Sequence, residues 1–395
     1  MPDQPADSNF PSFLLFEKGS FLGLEGVIQS RWAESLNLSK RILFAVLATW
    51  VPMVILAAVQ GLALGPTRSQ SFLLDPAMYA RFLVALPVLF FSQEKATAKL
   101  GQIVDHFLKA KLVKEAERDR FIANVVSAMR RRYSLVADWL LFAIAYAYSA
   151  LYVFLVVPVA TETWRTVDPE GHHILSLAGW WFVGVSQPIY SFVLLRFLYR
   201  IGVWWNFLRQ TSHLDLQLDA AHPDLAGGLG FLGLTLAAFK EAAFAISASL
   251  AGAIANLVLL TGARVTSFKY EILVAMVIIV ALFAGPLSFF YNLLLKAKLR
   301  GILDYWVLWH GQSRQFGQRW MHSPSEYPDM LSVPDFSQAT DLSSILERVN
   351  QIKLVPIRRT QILTLIVSTL SPFLLVLTLE FPVDEILKHL LRMAF

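Results

Sequence analysis

Five side chains able to hold a cation fall within twelve residues: His213, Asp215, Asp219, His222 and Asp224. Imidazole and carboxylate are suitable ligands for zinc, manganese or ferrous iron. The spacing matches no established metal motif, and a run of this composition more often forms a solvated loop. His213, Asp215, Asp219 and His222 therefore stand as weak candidate metal ligands. His172 and His173, with Asp168 and Glu170, form a weaker set, because adjacent histidines point in different directions on regular structure.

Gly227, Gly228 and Gly230 follow directly and open a long apolar stretch. Free backbone amides at such a helix start attract phosphate or carboxylate. Glycines there equally permit a tight turn and close helix approach, which is the preferred account. The lysine and Ser/Thr that end a nucleotide-binding phosphate loop are missing. His222, Asp224, Gly227, Gly228 and Gly230 are thus read as a candidate binding loop, and no cofactor is assigned.

A further set of charged groups lies in or near apolar stretches: Asp138, Arg196, Lys240 and Glu241. Arg196 is about 12 Å inboard of Trp204 on a helix, which strains a snorkelling account. Either Asp138 or Glu241 is placed to pair with it, and a structural ion pair is the preferred reading. Lys240 and Glu241 are expected to snorkel to a membrane boundary. If their helix starts deeper, they are functional by default.

These residues need a bilayer to position them. Hydrophobic residues make up 56% of the 395, charged residues 16%, and the mean hydropathy is +0.53. Soluble domains hold about 45–50% apolar and about 25% charged residues. The excess falls in seven runs: 42–64, 78–91, 135–160, 175–207, 234–260, 272–295 and 361–379. The second is short and must borrow from its flanks to cross about 30 Å. The expected fold class is all-α, a polytopic transmembrane bundle of about seven spans with cytoplasmic helical extensions.

Residues 1–41 form an amino-terminal segment and 42–395 the membrane domain. Within it, 92–134 reads as a helical hairpin turning at 114–120, since Leu100, Ile103, Val104, Phe107 and Leu108, then Phe121, Ile122, Val125 and Val126, recur at helical spacing. Residues 296–360 read as mixed and polar, enclosing one amphipathic helix through Leu342, Ile345, Leu346 and Val349. Trp180-Trp181 and Trp204-Trp205 are about 36 Å apart on a helix and suit two interfacial belts. The fifth run repeats small residues (Ala245, Ser249, Ala253; Ala248, Gly252), which marks it as a protein-packed helix. Pro52, Pro87, Pro188, Pro286 and Pro372 fall within five runs.

Lysine and arginine concentrate in alternate loops, which places the amino terminus in the cytoplasm and the carboxyl terminus outside. The same concentration explains the net charge of +5 without nucleic acid. No cleavable leader is expected. With no cysteine, thiol catalysis, disulfides and thiolate metal sites are excluded.

The stretch HPDLAGGLGFLG at 222–233, with Leu354-Val355-Pro356 and Phe381-Pro382, resembles an uncharacterised family of bacterial multi-pass membrane proteins sharing His-Pro-Asp-x-x-Gly-Gly-Leu-Gly-Phe-Leu-Gly. The resemblance implies a bacterial inner (plasma) membrane and carries no activity. Three functions are ranked on the residues. A transporter or channel for a small solute or ion comes first, then a scaffold or sensor binding a cytoplasmic protein partner or a second copy. A membrane-embedded enzyme is last, because no nucleophile–base pair is found. Beyond these, the lipid bilayer is the expected partner.

Overall fold

The computed structural model describes residues 38–155, 163–167, 174–321 and 335–381. The expected pair His172-His173 with Asp168 and Glu170, and most of the amino-terminal segment, lie outside the described residues.

Seven of the described helices are long and apolar enough to cross a membrane: α1 (Leu38–Val59), α2 (Pro76–Lys109), α4 (Leu135–Leu155), α5 (Leu177–Thr211), α6 (Gly230–Thr261), α7 (Val265–Gln318) and α9 (Arg359–Leu377). Helix α3 (Arg118–Arg132) completes the hairpin, and α8 (Asp335–Asn350) packs against α7. A two-residue ribbon, β1 (Thr166–Val167) with β2 (Ile174–Leu175), closes the loop between α4 and α5. The chain is an all-α multi-pass membrane bundle.

Two boundaries differ from the sequence expectation. The short second run and the first arm of the hairpin are one helix of 34 residues. Between Phe91 and Leu100 there is neither proline nor glycine, so nothing ends the helix where its surroundings change from apolar to polar. Its start is fixed locally: the Asp75 carboxylate accepts the Ala77 N–H at 3.0 Å, and Pro76 occupies the first turn. The turn of the hairpin comes at 110–117, just ahead of the expected 114–120. Likewise α7 runs for 54 residues, about 81 Å of helix. It continues far into the segment expected to be mixed and polar, so that α7 projects well beyond an apolar slab of about 30 Å. Pro286 is absorbed in a tighter turn, Gly285–Phe290, rather than ending the helix.

Helices α5 and α6 form the centre, each with half or more of its apolar window inside the bundle. Helix α6 packs on α2, α7 and α9. Its small residues have the expected effect: a side chain at Gly252 would run into the Ala80 methyl and come within 3.2 Å of the Ala77 Cα and the Pro76 carbonyl. The tryptophans divide. Trp180 is exposed, and Trp181 donates to the Ala48 carbonyl at 3.1 Å. Trp204 is wholly buried against Phe207, and Trp205 donates to the Leu282 carbonyl at 3.0 Å. Only one end of α5 therefore presents an indole at an exposed surface.

Candidate functional site

Polar groups collect at both ends of α6. At the end carrying the hairpin turn, Asp224 organises the glycine loop. Its carboxylate accepts the Ala226 N–H at 2.8 Å, the Gly228 N–H at 3.1 Å and the Gly230 N–H at 2.7 Å. The His222 Nδ1 lies 2.8 Å from the same group. Leu225, Gly227 and Gly228 take positive φ to aim these amides inward. A Cβ at position 230 would sit 2.9 Å from the carboxylate, so glycine is needed there. The loop is an anion-binding nest already filled by an anion of its own chain. Burial raises the Asp224 pKa, but the amides of Gly230, Ala226 and Gly228 and the His222 ring outweigh it and hold the group below the usual carboxylate range.

Beside this loop lies a cleft of about 420 Å³, lined by His106, Asp219, His222, Asp224, Arg358 and Gln361 among others. The His106 ring lies against Phe231 in a tilted contact, centroids 4.4 Å apart. The Gln361 side chain accepts the Arg358 N–H at 2.9 Å and abuts Gly233, so the starts of α9 and α6 meet here. The four candidate metal ligands are not gathered. Asp215 pairs with Lys114, Asp219 accepts the Ala221 N–H at 2.9 Å, His213 is exposed, and His222 engages Asp224. Among the described residues, no three His, Asp or Glu side chains are grouped to hold a metal ion.

The charged groups of the spans are placed by pairing. Arg196 meets Asp138 at 3.2 Å with both side chains buried. Glu241 meets Lys95 at 2.9 Å, and Lys99 donates to the Ala237 carbonyl at 2.8 Å. Lys240 is half-buried. Asp138, Arg196, Lys240 and Glu241 line neither cavity described here.

The opposite end of α6 holds groups that sequence reasoning passed over. A cavity of about 230 Å³ lies between α2, α4, α5, α6 and the loop that precedes β1. Arg81, Arg165, Ser149, Gln187, Tyr148, Tyr152 and Asn256 line it, with Ala77, Phe182, Val183, Ala253 and Leu257. The Arg165 guanidinium bonds Asp75 at 2.9 Å and lies over the rings of Trp164 and Phe182. Trp164 is buried, donating to Asp75 at 2.9 Å, so this described part of the loop is drawn into the bundle. Arg81 donates from Nη1 to Gln187 at 2.7 Å, while its Nε is buried without a partner. The Ser149 hydroxyl is also buried and unpartnered, on a residue 2% exposed.

Two of the four helices that frame this cavity are locally widened. Residues Tyr79–Ala85 of α2 and Phe182–Ser186 of α5 form π turns, and such turns occur often at functional sites. Arg81 sits in the first, and Phe182 and Val183 in the second. The signal that was available for Arg81 is its isolation: it is the one charged residue in the stretch 76–91, and an ionisable residue inside a span marks a functional site by default.

Seven apolar helices, a buried polar cavity and small-residue packing define an integral multi-pass membrane protein. Compared with known proteins, the chain matches no family model, no curated protein and no solved structure.

Proposed function

We propose that the protein is a transporter or channel for a small solute or ion, with its path beside α6. The observation that carries this reading is the placement of a polar cavity at each end of that one helix, about 29 Å apart along its axis from Leu234 to Ala253. The unpartnered groups at Arg81 and Ser149 give a solute something to bind. Alternating basic loops support an amino terminus in the cytoplasm, which puts the glycine-loop cleft inside and the Arg81 cavity outside. The setting would be a bacterial inner membrane, in line with the HPDLAGGLGFLG resemblance.

Orientation and activity are tested together. A cysteine introduced at position 115 is the sole thiol of the chain. It is expected to resist an impermeant thiol reagent in intact cells and to react once they are permeabilised. Proteoliposomes carrying the purified protein are expected to pass at least one solute from a panel of anions, cations and neutral compounds faster than empty liposomes. Absence of flux across the whole panel would retire the transport reading.

A scaffold is the second reading, and one observation favours it. Beyond residue 295, α7 exposes Leu299, Leu303, Trp306 and Val307, an apolar face outside the apolar run of the sixth span. A cytoplasmic partner or a second copy of the chain would cover it.

A further inference from the structure

We infer that the Arg81 cavity is a binding site for a small monoanionic oxyanion with a short apolar body, of which a short-chain carboxylate taken up as a free solute is the type. This rests on the proposed transport reading for its purpose, though not for its chemistry. Charge comes first. Arg81 and Arg165 are the charged side chains lining the cavity, and Asp75 neutralises Arg165 at 2.9 Å. Arg81 meets no carboxylate among the described residues; its hydrogen bond goes to the neutral Gln187. Among the described residues one positive charge in the lining is thus left without an ion pair, and a buried charge without a counter-ion is costly. A single negative charge compensates it, whereas a dianion would leave an excess.

Geometry narrows the class further. With Nη1 spent on Gln187 and Nε buried without a partner, the guanidinium keeps an unsatisfied donor that the oxygens of an oxyanion seated in the cavity would take up. The Ser149 hydroxyl is buried, unpartnered and in the same cavity. The Asn256 amide, also in the lining, has no hydrogen bond within the described structure. All three belong to the lining of this one cavity. The rest of the wall is apolar: Ala77, Phe182, Val183 and Leu257. At about 230 Å³ the cavity has the volume of about eight waters, below the range of about 300–1,000 Å³ typical of larger ligands. A short carboxylate satisfies the charge, the unsatisfied donors and the size.

The test is binding to the purified full-length protein in detergent, read as the shift of its thermal midpoint with ligand concentration. Sodium butyrate is the probe, butyramide the uncharged isostere, and sodium chloride the ionic-strength control. Butyrate is expected to raise the midpoint in a saturable way, while butyramide and chloride do not. Arg81→Gln is expected to weaken the apparent affinity about tenfold or more. Ser149→Ala keeps the fold secure, because it deletes an unsatisfied hydroxyl, and is expected to weaken butyrate several-fold. Equal stabilisation by butyramide, or wild-type affinity in both variants, would overturn the assignment. So would stabilisation by added phosphatidylglycerol but not by butyrate, since the occupant would then be a lipid phosphodiester. Butyrate binding without flux would uphold the site and sink only transport. Flux that is indifferent to Arg81→Gln, with no butyrate binding, would do the reverse.

Discussion

Asp138→Ala is expected to destabilise the bundle by about 3–5 kcal/mol, because it removes the carboxylate that Arg196 meets inside the protein. Both side chains are about nine-tenths buried, so water cannot readily replace the lost partner. The measurement is thermal unfolding of the purified protein in detergent, followed by helical circular dichroism. The double substitution Asp138→Leu with Arg196→Met removes both charges and is expected to recover most of the loss. A paired charge set against well-packed apolar groups is often close to neutral in its net contribution. If the single and double variants are equally unstable, the pair matters for its shape and not its charge. If Asp138→Ala is as stable as the wild type, the ion pair contributes nothing.

The second large effect is expected at Asp224. Alanine there leaves the amides of Ala226, Gly228 and Gly230 without their acceptor. Those amides are held in place by a backbone with three consecutive-region positive φ values, at Leu225, Gly227 and Gly228. A partly buried donor left unsatisfied costs about 1–3 kcal/mol, and water reaches some of them, so a total loss of about 2–4 kcal/mol is expected. Asn, which keeps one oxygen, should fall between. The effect also has a definite pH dependence. The folded carboxyl titrates below its ordinary range, so its contribution is fully present above the unfolded pKa of about 3.9 and is lost as pH falls through the folded value. The gap in midpoint between wild type and Asp224→Ala is expected to be constant from neutral to mildly acidic pH and to close only below the usual carboxylate range.

The fold was legible in the sequence because lipid demands long apolar runs, and those runs are hard to mistake. What the sequence concealed was continuity. Helix α2 passes from apolar to amphipathic surroundings with no breaker between Phe91 and Leu100, so a change of solvent imitates a change of element. The same holds where α7 leaves the apolar run beyond residue 295. That Arg196 would meet a carboxylate was readable from its depth, but the choice of Asp138 over Glu241, which pairs with Lys95 instead, was not. The candidate binding loop was readable as a turn, but the filling of its amides by Asp224 depends on Leu225, Gly227 and Gly228 adopting left-handed backbone, which residue types suggest only weakly for a leucine. The Arg81 cavity was least legible. It is assembled from four helices and a loop, and its Trp164–Arg165 wall is drawn from a connection that looks, on sequence alone, like an ordinary link between spans.

The π turns in α2 and α5 give the bundle an uneven stiffness. Each carries a surplus residue within otherwise regular helix, so a one-residue register slip can be taken up there without breaking the hydrogen bonds on either side. The first of these turns is also where α6 comes closest, because Ala80, inside Tyr79–Ala85, is the residue that Gly252 packs on. The turn that carries Arg81 therefore rests directly on the small-residue face of α6, so any bulk added at Gly252 presses on the backbone that sets the shape of the cavity.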